Sequence, residues 1–181
     1  MITFLIFVVI IVYIVVKALQ TTEAIGNWSH LFPDMQHDPN SFYELVEKIL
    51  HEKQVPEFYA SKITLNEGSL LAHNRLYLEV SRGDYIFHIC AAPWGTDFFF
   101  SWWIRQKRDE MDQIYNLIPF FGARIVKMRQ YKSYYKLDTE SMFRKSVHQC
   151  VLTAIDNLTS SKGIRGLSEL ERTPDVRSMI K

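Results

Sequence analysis

His88 and Cys90 stand two apart in an apolar run. On a β-strand that spacing points both side chains to one face. Cys90 or Ser101 as nucleophile, His88 as base and Asp97 as orienting carboxylate make, on paper, the set a hydrolase needs. The sequence lacks the frames that seat such groups: no Gly-x-Ser-x-Gly, Walker loop, Gly-x-Gly-x-x-Gly or His-Glu-x-x-His. Asp97 follows a turn signal, where aspartate commonly bonds its own backbone. No catalytic residue is assigned. His148 and Cys150 repeat the spacing on an expected helix, where positions i and i+2 diverge by about 200°. That argues against a joint metal site built from both pairs. Cys90 and Cys150 are too few for a disulfide scaffold or a four-cysteine zinc module. His30, Asp34, His37 and Asp38 have a spacing that suits a loop metal site or a pH-sensitive contact. It also suits an ordinary polar loop, which is the reading adopted. No motif calls for a cofactor.

A second constellation is basic and aromatic. Residues 20–100 carry 5 Lys+Arg and 11 Asp+Glu, a balance of −6, whereas residues 101–181 carry 15 and 9, a balance of +6. The pattern over Ala123–Leu137 reads as a long strand. Arg124, Lys127, Arg129, Lys132 and Lys136 alternate along it with Tyr131, Tyr134 and Tyr135. Arg124, Lys127, Arg129, Tyr131, Lys132 and Tyr135 are the candidate ligand-binding residues. Such a face holds a phosphate by charge and stacks a base on tyrosine. An anionic lipid is a candidate ligand for a domain tethered beside a bilayer. The plainer alternative is a solvated face paired with the acidic half. No recognition motif calls for nucleic acid.

Trp94, Phe98, Phe99, Phe100, Trp102 and Trp103 form the third constellation. In a strand Phe98, Phe100 and Trp102 face one way, and Phe99, Ser101 and Trp103 the other. Large apolar groups on both faces require two covers, so these six are the candidate interface residues. A one-residue slip exchanges Trp102 and Trp103, so the alternation does not say which of them is exposed.

The elements that would position these groups begin at the membrane. Ile2–Val16 is apolar but for Thr3 and Tyr13. Extended through Leu19, a helix there is ~27 Å long, close to a bilayer's hydrocarbon core. Lys17 snorkels to the headgroups. No positive n-region precedes the run, so it reads as an uncleaved single-pass anchor rather than a signal peptide. Lys17 and the two unpaired cysteines favour a cytoplasmic soluble domain. The sequons at Asn27 and Asn157 pull the other way.

Beyond the anchor, residues 20–40 read as a polar juxtamembrane connector. Ser41 and Glu44 have capping-box spacing, and Phe42, Leu45, Val46, Ile49 and Leu50 make a helical stripe. Leu76, Leu78 and Val80 mark a half-buried strand. Tyr85–Ala92 and Phe98–Ile104 mark two more, joined through turns in an antiparallel meander. Tyr85–Ile104 holds one charge, Asp97, and mimics a second membrane span, but Pro93 and Gly95 argue against a continuous helix. A short helix is expected over Gln106–Ile118. A longer one, capped by Asp138, carries Phe143, Val147, Cys150, Val151, Ala154, Ile155 and Leu158.

The expected fold class is α+β: an anchor over 1–19, then a soluble domain over 41–166 with a mostly antiparallel sheet and about three packing helices, then a tail over 167–181. The expected function is a non-enzymatic interaction domain, an accessory or scaffold subunit of a membrane assembly. It meets membrane lipid and either a protein partner or a second copy. The alternatives are a sensor or effector binding a nucleotide or other anion on the basic strand, and a small membrane-tethered hydrolase.

Overall fold

Asp38 starts the first helix among the described residues. Its carboxylate accepts from the Ser41 backbone N–H at 2.9 Å and from the Ser41 hydroxyl at 2.8 Å. Helix α1 then runs Pro39–Glu52. Proline at the first position is harmless, since its missing N–H would have no intrahelical partner. The cap is therefore Asp38, and Ser41 lies in the first turn. Phe42, Tyr43, Val46, Ile49 and Leu50 are buried along one side, which is the expected stripe with Tyr43 added and Leu45 only half-buried.

The computed structural model describes residues 24–65, 74–107 and 134–176. Among them is a second helix, α2 (Tyr134–Lys162), which starts four residues before the expected cap at Asp138. Residues 134–137 are helical, so the long strand expected over Ala123–Leu137 does not reach them. The remainder of that stretch, and most of the helix expected over Gln106–Ile118, lies outside the described residues. Gln106 itself ends a strand. Gly163 closes α2 with φ of 66°. Its N–H donates to the Ser160 carbonyl and that of Ile164 to Thr159. This is the paired bonding of a glycine C-cap.

The meander forms as the alternation predicts: β3 (Arg75–Arg82), β4 (Tyr85–Trp94) and β5 (Asp97–Gln106). Gly83 and Gly95 take positive φ in the two tight turns. Three further strands complete the sheet: β1 (Ala24–Phe32), β2 (Tyr59–Leu65) and the short β6 (Asp175–Val176). The sheet order is β2-β3-β4-β5-β1-β6, and every pairing among the described residues is antiparallel. Residues 24–32, read as connector, therefore form a central strand. Their outward positions are polar enough to look like a loop, yet Trp28 and Phe32 are buried against β5.

Both helices lie on one face. Phe42 of α1 meets Phe100 at 4.7 Å between ring centroids, and Phe143 of α2 meets Phe87 at 5.7 Å. The architecture is α+β, with two packing helices among the described residues. Tyr85–Ile104 is a hairpin within this sheet, not a membrane-crossing helix. No helix among the described residues is long and apolar enough to cross a membrane. The anchor expected over 1–19 lies outside them.

Candidate functional site

The face of the sheet opposite the helices collects most of the chemistry singled out in the sequence. Strand pairing sets its rows. Glu79, His88, Trp103 and Asn27 lie side by side across β3, β4, β5 and β1. Tyr77, Cys90, Ser101 and Ser29 form the next row. Ala92, Phe99 and Leu31 form a third.

In the first row His88 Nε2 lies 3.1 Å from Glu79 Oε2 and 3.4 Å from an Arg105 guanidinium nitrogen. Burial holds the His88 pKa below its ordinary value, and the Arg105 charge adds to the depression against the pull of Glu79. In the second row the Cys90 thiol sits beside Tyr77 and Ser101, with Arg75 close enough to act on its charge. Burial pushes that thiol's pKa up, with Arg75 opposing. A protonated, buried thiol is a poor nucleophile. Asp97 is spent elsewhere: its Oδ1 accepts from the Asp34 backbone N–H and the Thr96 hydroxyl. The paper hydrolase set is thus divided. His88, Cys90 and Ser101 share a face, but His88 is engaged by Glu79 and Asp97 sits in the β4–β5 turn.

The aromatic constellation divides by parity. Phe98, Phe100 and Trp102 are fully buried under the helices. Phe99 is half-buried on the open face, where Trp103 is 47% exposed. Trp94, at the end of β4 on the same face, is 66% exposed. Leu31, Tyr59 and Leu65 are exposed on it too. Five of the nine exposed large hydrophobic side chains among the described residues therefore lie on this one face. Phe98, Phe100 and Trp102, taken as interface candidates from sequence, are instead core. Glycine turns at both ends of β4 hold the register that makes this choice.

Of the basic-aromatic constellation, Arg124, Lys127, Arg129, Tyr131 and Lys132 lie outside the described residues. Tyr135 is exposed on the first turn of α2 rather than on a strand. The His30–Asp38 cluster disperses into structure. His30 packs on Phe32 at 4.6 Å between ring centroids, Asp34 takes a φ of 51° in a turn, and Asp38 caps α1. His148 and Cys150 are both buried in α2. Trp102 Nε1 donates to His148 Nδ1 at 3.0 Å, a link that residue spacing cannot show.

Among the described residues this face therefore presents exposed apolar side chains around a small ionic row of Glu79, His88 and Arg105. Compared with protein-family models, curated proteins and solved structures, the chain matches none.

Proposed function

We infer that this chain is a membrane-anchored, non-enzymatic interaction domain, an accessory or scaffold subunit whose open sheet face seats a second copy of itself. The observation that carries the reading is the exposure of Trp103, Trp94 and Leu31 on a face that no described helix covers. Large apolar side chains gathered on one exposed sheet face point to an interaction site. The face also carries both signs of charge, Arg75 and Arg105 with Glu79. A two-fold contact needs such self-complementarity. A shared bilayer adds to this by raising the effective concentration of tethered copies.

The test is the size of the full chain in mild detergent, with and without Trp103→Ala. A dimer or higher oligomer that dissociates in the variant, at unchanged thermal stability, supports the reading. A wild type that stays monomeric at every concentration overturns it.

A further inference from the structure

The chain crosses one end of the domain repeatedly. It enters β1 at Ala24, opposite Arg105, and leaves β5 at Lys107. The Lys107 N–H is held by the Asp84 carbonyl of the β3–β4 turn at 2.6 Å. At β6, Val176 pairs with Gly26 near the same end. Helix α2 arrives there as well, since the Tyr85 hydroxyl donates to Glu140 Oε2 at 2.6 Å. The other end of α2 reaches the opposite side of the sheet, where Lys162 Nζ donates to the Gln36 carbonyl. From Lys162 to Glu140 the helix spans ~33 Å, the length of a ten-residue strand. Tyr134 lies six residues beyond Glu140, so α2 overshoots the sheet by ~9 Å. On this overhang Tyr134 is 86% exposed and Tyr135 80% exposed. Lys107 is exposed at the same end of the sheet.

We propose that this end, with the overhanging turn of α2, rests on an anionic membrane surface, and that Tyr134 and Tyr135 sit at its headgroup level. The proposal rests on the anchored reading above. Four residues separate Leu19 from Ala24. At no more than ~3.6 Å per residue they hold the start of β1 within about 20 Å of the anchor's end. Of the two ends of the sheet, the one at Ala24 is therefore the one brought to the bilayer. Tyrosine suits that depth, with an apolar ring and a polar hydroxyl. The sequence that leads into Tyr134 carries Arg124, Lys127, Arg129 and Lys132, and no Asp or Glu lies between Ile114 and Leu137. Basic charge in the sequence next to Tyr134 favours anionic headgroups. With this end down the strands stand along the membrane normal. The open face then looks sideways, toward other copies in the same bilayer.

The test places a fluorophore on the full chain at Tyr135→Cys and, at the far end of the sheet, at Thr96→Cys. The native cysteines are buried, which directs labelling to the new thiols. The labelled chains are put into nanodiscs of phosphatidylcholine, alone or equimolar with phosphatidylglycerol, doped with headgroup nitroxide lipid. Several-fold stronger quenching at 135 than at 96, stronger still with phosphatidylglycerol and weakened by salt, is the expected result. Equal quenching at both positions, or stronger quenching at 96, overturns the orientation while the chain remains in the disc. A chain that an alkaline wash strips from membranes overturns the anchored reading itself.

Discussion

Trp102 Nε1 donates to His148 Nδ1 across 3.0 Å in the buried seam between β5 and α2. With Nδ1 accepting, the neutral ring carries its proton on Nε2, which donates to the Arg172 carbonyl at 2.8 Å. One imidazole thus ties the sheet, the long helix and the C-terminal segment together, and it does so only while uncharged.

Stability is expected to fall in acid for this reason. Burial holds the His148 pKa below its ordinary value of 6.5. The unfolded chain therefore takes up the proton first. The contribution is complete above about pH 6.5 and is lost as pH drops from there toward the folded value. Denaturant midpoints across pH 8 to pH 5, in ~0.5-unit steps, should decline below that point, by at most about 1.4 kcal/mol per pH unit for each proton. His148→Asn, whose side-chain oxygen still accepts from Trp102, should flatten the slope; an unchanged slope would remove His148 as its source.

Trp102 and Trp103 should behave differently. Trp102 is fully buried, and its truncation to alanine opens a cavity and strips His148 Nδ1 of its donor. A loss of roughly 3–5 kcal/mol is expected. Trp103→Ala should leave the monomer folded, with a thermal midpoint close to wild type. Comparable unfolding in both variants would mean that the open face is core after all.

Tyr43 holds the end of the β3–β4 ladder. Its hydroxyl accepts from the Ala91 N–H at 2.9 Å and donates to the Leu76 carbonyl at 2.7 Å. Burial pushes its pKa above the ordinary tyrosine value, so it stays protonated. Tyr43→Phe keeps the ring and leaves both backbone groups without that partner. Equilibrium unfolding should show a loss of about 1–3 kcal/mol. A neutral result would show that water or a shifted strand replaces the hydroxyl.

Removal of residues 1–19 should release the protein from membranes. Fractionation of the truncated chain is the measurement. Its persistence in the membrane pellet after high salt would overturn the anchored reading.

The sequence carried the two described helices and the meander clearly, because each bears a period that one covered face imposes. The stripe from Phe143 to Leu158 needed no knowledge of its neighbours, and neither did the alternation of Leu76, Leu78 and Val80. Strand β1 was hidden for the opposite reason. Gly26, Asn27 and Ser29 look like a loop until β5 lies beside them, and backbone pairing is not written in side-chain composition. The cap at α1 passed from Ser41 to Asp38 because both residues suit the role, and local geometry chose between them.

Sequence alone determined that the aromatic strand has two apolar faces and that His88 and Cys90 share one of them. Only the tertiary structure decided which face the helices cover, because alternation fixes which residues go together but not which side meets a helix. The same choice sent Trp102 to His148 and left Trp103 in the open. Tyr135 shows the limit from the other side. Its face in a supposed strand lost its meaning once the chain coiled there, since a strand repeats every two residues and a helix every 3.6.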